Sequence, residues 1–348
     1  MSQGRGNPDT APVQIARESR RQGMVGVTPV PDRRGRPATG PVLDARGITD
    51  ERLTALLVAK SPQENFPVAS RLLPARLRRD LLAVYGFARL VDDLGDEAPG
   101  DREHLLDMVA EDLATVCPPR GDPTAPVGGG TTRSGRAGPR PVAIPVVAAL
   151  ADTIAAHRIP AEPFHRLVEA NRQDQKVTEY ATYADLLAYC TRSADPVGRI
   201  VLHIFDLATP ERVVLSDRVC TALQLAEHLQ DVAEDLRRGR VYLPVEDLRR
   251  FGCTHADLAR PVANRRVRRL IGFQRRRARA LLDAGTPLVD TLPGFARLAV
   301  AGYVAGGRAA LAAIAAAGDD VLARSPRPTR TRLLRDWLLL AARGGEAR

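Results

Sequence analysis

The 348-residue sequence predicts an all-α protein, and three observations predict it. Leu and Ala dominate most of the chain, and both favour helix. Strand-like alternation of apolar and polar residues is nearly absent. Pro74, Pro160, Pro210, Pro244, Pro287 and Pro326 fall near the ends of periodic stretches, where helix boundaries tolerate proline.

The elements follow in order. Helices are expected at roughly 51–60, 75–97, 101–116, 142–157, 161–174, 183–190 and 193–207. Further helices are expected at 211–237, 245–250, 255–259, 262–284, 288–317 and 327–343. Residues 1–50 are rich in Gly, Pro and Arg and read as a disordered tail. Residues 118–141 have the same character and read as a flexible insertion between helices. Composition breaks nowhere else, so one helical domain is expected over 51–345.

Composition narrows the functional classes. No run of about 18 apolar residues appears, so no transmembrane helix is expected. The N-terminus is hydrophilic, so no secretory signal is expected, and the setting reads as cytoplasmic. Cys117, Cys190, Cys220 and Cys253 lie far apart with no CxxC pair, which argues against zinc. Aromatic residues are only 4%, so an apolar cavity has to be lined by Leu, Val, Ile and Ala. The net charge is +10, and residues 260–280 hold nine Arg and no acid. No nucleic-acid motif accompanies that stretch, so nucleic acid is not an expected partner. A solvated helix face is the plainer reading, with contact to anionic lipid as the alternative.

Two segments carry the chemistry. In LLAVYGFARLVDDLGDE (81–97), Asp92 and Asp96 are one turn apart. They continue a largely apolar stripe through Leu81, Tyr85 and Ala88, which normally faces a core. Acids at the end of such a stripe are costly to bury unless a cation compensates. Asp93 and Glu97 are expected to face water. In QLAEHLQDVAEDLRRGRVYLP (224–244), Gln224, Glu227, Asp231 and Asp235 share one helix face. Two such helices facing each other would offer hard oxygen ligands suited to magnesium and a diphosphate. Arg89 and Arg240 are positioned to pair with phosphate oxygens, although a helix-surface ion pair is the commoner fate of any one Arg. His203 and His228 read as structural histidines, and Phe66, Phe87 and Phe205 as core.

These two segments resemble the paired aspartate-rich motifs of the squalene/phytoene synthase family. So do ENFPVASRLLP (64–74), ANRQDQKVTEYATYADLLAYC (170–190) and ADPVGRIVLHIF (194–205). The likeness spans roughly residues 55–310 and is greatest to a narrower subgroup, the bacterial hydroxysqualene synthases of hopanoid biosynthesis.

The resemblance implies a single-domain helical isoprenoid synthase fold with a central cavity. It implies Mg2+ held by Asp92, Asp96, Asp231 and Asp235, with Glu227 standing where many relatives have Asn. It places Tyr85, Arg89, Arg240 and Tyr242 near the diphosphate, Gln224 on the cavity wall, and Tyr303 at a late-helix tyrosine. Asn171, Phe66 and Asp195-Pro196 depart from the commoner pattern beside the cavity. The implied reaction ionises presqualene diphosphate, and water then captures the cation to give hydroxysqualene. The alternatives are a head-to-head prenyl transferase making presqualene diphosphate, phytoene or dehydrosqualene, and a non-catalytic assembly protein that keeps the fold. Peripheral membrane contact and other squalene-pathway enzymes are compatible partners.

Overall fold

A computed structural model describes residues 73–117 and 142–342. The expected tail, the helix at 51–60, Phe66 and the insertion at 118–141 lie outside the described residues.

The described chain is built from α-helices. The first six are α1 (Ala75–Asp96), α2 (Arg102–Val116), α3 (Pro145–His157), α4 (Glu162–Asp174), α5 (Tyr183–Ser193) and α6 (Asp195–Ile204). There follow α7 (Pro210–Gln230), α8 (Val232–Arg237), α9 (Val245–Phe251) and α10 (His255–Leu258). The last four are α11 (Arg265–Gly285), α12 (Leu288–Thr291), α13 (Gly294–Ala316) and α14 (Arg330–Ala342). Side-chain caps start several of them. Asp101, Thr182, Thr209, Thr254 and Asn264 each accept a backbone N–H of the following first turn, satisfying donors that a helix start leaves open.

Three apolar clusters hold the helices together. The first joins α1, α2, α3, α4 and α6 around Phe87, Leu106, Leu150 and Phe164. The second joins α5, α7, α11 and α13 around Leu186, Ala222, Leu282 and Val304. The third ties α10 and the start of α11 to the end of α13 through Leu258, Leu270 and Ile314. Beside the first cluster, buried His157 Nε2 lies 2.9 Å from buried Asp80 Oδ2, so α1 and α3 share a polar link as well.

Two expected helices are broken. The element expected at 211–237 divides at Asp231, whose φ of −108° and ψ of 13° open the helix. Glu227, Asp231, Glu234 and Asp235 crowd this point, and like charges one turn apart oppose a continuous helix. The element expected at 288–317 divides at Leu292-Pro293, where proline cannot supply the N–H a continuing helix needs.

Helix α13 is 23 residues long and apolar enough, by length and composition alone, to cross a membrane. Most of it is buried between its neighbours, so it packs as a core helix.

The Arg-rich stretch is less bare than the sequence suggests. Arg268 pairs with Asp320 at 2.7 Å, Arg275 with Asp319 at 2.7 Å and Arg277 with buried Asp247 at 2.6 Å. Arg279 pairs with Asp283 at 2.8 Å within α11 itself. The remaining outward face carries exposed Arg265, Arg269 and Arg276.

The Phe87 ring is fully buried and meets Phe164 edge-on at 5.4 Å, joining α1 to α4. Phe87→Ala is expected to cost about 3–5 kcal/mol, seen as a lower urea midpoint with an unchanged slope.

Candidate active site

A cavity of about 480 Å³ opens between α1, α5–α6, α7 and α13. Leu81, Val84, Val201, Val219, Leu223 and Val300 give it apolar walls. Asp92, Glu227, Asp231, Arg89 and Arg327 bring charge to the same cavity. Tyr85, Gln224 and Tyr303 line it as well. The low aromatic content is consistent with this lining of branched aliphatic residues.

On α1 the stripe Leu81, Tyr85 and Ala88 passes from buried to half-buried and ends at Asp92, which is exposed and lines the cavity. Asn171 of α4 donates from Nδ2 to Asp92 Oδ1 at 3.0 Å. That approach depends on Gly95, since a Cβ there would lie 2.3 Å from Asn171 Oδ1. The Asp92 carboxylate remains reachable through the cavity, yet protein surrounds it. Although the side chain is exposed to solvent at the cavity, the protein around it raises its carboxyl to about 6, with the Asn171 bond partly offsetting this.

The second acidic segment divides at the helix break. Gln224, Glu227 and Asp231 line the cavity. Ser325 Oγ donates to Asp231 Oδ1 at 3.4 Å, and burial raises the Asp231 carboxyl. Asp235 follows on α8 and is not part of the cavity lining. Burial first, and Asp231 next, push its carboxyl to about 8.

Asp96 lies at the end of α1, where Arg240 donates to it at 2.6 Å and Arg238 stands 3.7 Å away. Asp93 does not face water as expected. Its carboxylate is only 11% exposed and pairs with Arg89 at 2.8 Å, because the i, i+4 spacing brings the two together. Arg89 is therefore held by an acid of its own helix while it lines the cavity. Its buried Nε has no hydrogen-bond partner.

Behind the Gln224 wall runs a polar relay. The Gln224 amide lies 3.3 Å from His228 Nε2, and the His228 ring stacks on Tyr242 at 3.8 Å. Tyr242 donates to Asp174 Oδ1 at 3.2 Å, and Tyr189 donates to Asp174 Oδ2 at 2.7 Å. Burial raises the Asp174 carboxyl to about 6, against the pull of these two hydroxyls and of Arg240. Burial also drives His228 down to about 3, so the imidazole is neutral. This is a structural histidine, as its position in the sequence suggests. Tyr242 stands behind the cavity wall and is absent from the lining.

Sequence reasoning did not single out Asp174, Ser325 or Arg327. Asp174 lies in the ANRQDQ run, where an acid inside an amphipathic helix was the available signal. Ser325 and Arg327 come from the α13–α14 connection, which no periodicity marks.

Magnesium fits the donor chemistry of this cavity. Among the described residues, no three carboxylate, imidazole or thiolate groups form a closed cage. Magnesium does not require one, because it keeps several waters and shares phosphate oxygens with one or two carboxylates. Asp92, Glu227 and Asp231 offer such oxygens on the cavity wall.

Helices alone, packed around an apolar cavity that carries carboxylates and arginines, define the all-α isoprenoid synthase fold. The chain belongs to the squalene/phytoene synthase family, whose model matches residues 59–334. It is similar to the solved squalene synthase HpnC from Alicyclobacillus acidocaldarius, at 40% identity and a TM-score of 0.63, over 82% of this chain and all of that one. It is 32% identical to a hydroxysqualene synthase from Zymomonas mobilis, over 66% of this chain and 71% of the relative. It is 31% identical to a phytoene synthase from Arthrospira platensis, over 62% and 68%. A dehydrosqualene synthase structure at 22% identity and a TM-score of 0.67 shares the fold. The protein is thus an enzyme of a family that acts on prenyl diphosphates.

The raised carboxyls have a pH consequence. Asp235 and, to a smaller extent, the solvent-screened Asp92 hold protons in the native state that an unfolded chain, at an ordinary 3.8, would release. Their ionisation therefore costs native stability as pH rises from about 4 through 6 and 8. In EDTA, the melting temperature is expected to fall between pH 5.5 and pH 8 more steeply than in Asp92→Asn or Asp235→Asn. Differential scanning fluorimetry checks this, and magnesium with diphosphate should flatten the slope.

Proposed function

We propose that the protein ionises presqualene diphosphate and lets one water capture the cation, releasing hydroxysqualene and diphosphate. The observation that carries this reading is one apolar cavity with carboxylates and arginines on its wall. A long hydrocarbon with a diphosphate head has that same division. The runs NFPVAS, ARLVDDLGDE and NRQDQ, and the likeness to hydroxysqualene synthases, support the narrower substrate.

The residues have separable tasks. Asp92, Glu227 and Asp231 would hold Mg2+, with Asp96 and Asp235 of the same motifs supporting them. Bound there, the metal supplies positive charge that stabilises the departing diphosphate. Arg89 and Arg327 would donate to diphosphate oxygens from the cavity wall. Arg240 orients Asp96, and Asn171 orients Asp92. Tyr85 and Tyr303 would close the cavity around the reacting carbons, with Gln224 held by His228 and Tyr242. The aliphatic walls keep bulk water from the cation while it rearranges. No step calls for a nicotinamide. A cytoplasmic setting with peripheral membrane contact suits so apolar a substrate.

The phytoene synthase relative favours a second reading, head-to-head condensation of prenyl diphosphates. Incubation with magnesium and either presqualene diphosphate or farnesyl diphosphate, followed by mass spectrometry, separates the two. Hydroxysqualene from presqualene diphosphate, with farnesyl diphosphate untouched, is expected. A C30 diphosphate made from farnesyl diphosphate alone would overturn the proposal. Asp92→Asn should lower turnover by at least about 100-fold, since it removes a carboxylate ligand from the metal that would stabilise the leaving diphosphate.

A further inference from the structure

The junction between α5 and α6 is held against α7 more firmly than helix packing alone requires. Thr221 Oγ1 of α7 donates to buried Asp195 Oδ1 at 2.8 Å. Arg199 donates to both carboxylate oxygens of Asp217, at 3.1 and 2.8 Å. Gly198 permits the close approach, because a Cβ there would lie 2.3 Å from Ser216 Oγ and 2.5 Å from Cys220 Sγ. The pinned junction forms part of the cavity wall through Ser193, Ala194, Val197 and Gly198.

Ser193 ends α5 and differs from the other hydroxyls nearby. Thr191 donates to its own helix at Ala188 O, 2.7 Å away. Ser216 shares a side-chain hydrogen bond with Cys220. The Ser193 Oγ is buried and has no hydrogen-bond partner, although the residue lines the cavity. Buried hydroxyls without a partner are uncommon, and this one belongs to a residue that lines the cavity. A serine hydroxyl turns readily between staggered positions, so it can meet a guest in the cavity. On the same wall Ala194 and Val201 are buried and Val197 is 36% exposed, so the lining around Ser193 is apolar.

We propose that the Ser193 hydroxyl binds and orients the water that captures the carbocation. This inference rests on the reaction given under Proposed function. Cleavage sends the bonding electron pair away with the diphosphate. The water oxygen then forms the new carbon–oxygen bond with its lone pair, and one of its protons passes to the released diphosphate. Ser193 Oγ accepts a hydrogen bond from the water and so turns a lone pair toward the cationic carbon. The acidic and basic groups on the cavity wall are left for the diphosphate and its cation.

The test is product partition in the full-length protein with presqualene diphosphate and magnesium. Alcohol formed and diphosphate released are measured together for wild type, Ser193→Ala, Ser193→Val and Ser193→Thr. In the Ala and Val variants, alcohol per diphosphate is expected to fall about three- to tenfold, the factor one hydrogen bond is worth. The missing carbon should appear as C30 olefins from proton loss, and Thr should restore the alcohol share. An unchanged alcohol share in Ser193→Ala overturns the role of Ser193 while leaving the reaction itself standing. A matched loss of alcohol and diphosphate with a lowered melting temperature in every variant, Thr included, also overturns it. Absence of any alcohol from the wild type instead refutes the reaction, and the inference falls with it.

Discussion

Holding carboxylates beside an apolar cavity is the constraint on which the rest of this structure depends. Asp92 and Asp231 line a cavity that also carries Leu and Val walls and the side chains of Arg89 and Arg327. The surrounding protein first, against the Asn171 bond, and neighbouring Asp96 next lift the Asp92 carboxyl to about 6. Left uncompensated, such groups would take up protons or pull the helices apart. The surroundings therefore supply partial compensation. Asn171 donates to Asp92, Ser325 to Asp231, and Arg240 to Asp96. None of these neutralises the cavity wall fully, which leaves work for a divalent cation and its anionic ligand.

The fold serves that constraint by keeping the two walls apart yet rigid. The Phe87–Phe164 contact fixes α1 on α4, and the same α4 carries Asn171 to Asp92. Gly95 leaves the room this requires. On the other wall, Gln224 is backed by His228, Tyr242, Tyr189 and Asp174 in one continuous relay. Neutral His228 in that relay is a spacer of fixed orientation, not a base. Arg240 stands near both ends of the arrangement, bonded to Asp96 and within electrostatic reach of Asp174.

Much of this was legible in the sequence. Leu- and Ala-rich periodicity and the proline positions locate most helices, and the stripe ending in Asp92 leads to an acid that lines the cavity while remaining exposed. What escaped depends on tertiary partners. The break at Asp231 follows from charge crowding on a stretch whose propensities are all helical. Asp93 turned out to be the shielded member of its pair because Arg89 lies one turn away. The arginines of α11 looked uncompensated because Asp319, Asp320 and Asp247 come from distant segments. Asp174 and Arg327 reach the site through contacts and connections that local periodicity does not encode. The family resemblance supplied the remainder, and it covers the segments that build the cavity.

In the proposed reaction Asp92 and Asp231 together hold a divalent cation against a diphosphate. Electron paramagnetic resonance of Mn2+ with inorganic diphosphate tests it without requiring turnover or a defined substrate. Wild-type protein should bind Mn2+ far more tightly when diphosphate is present, and an Asp92→Asn/Asp231→Asn protein with native circular dichroism should lose that binding. Unchanged Mn2+–diphosphate affinity in the double variant would contradict the account.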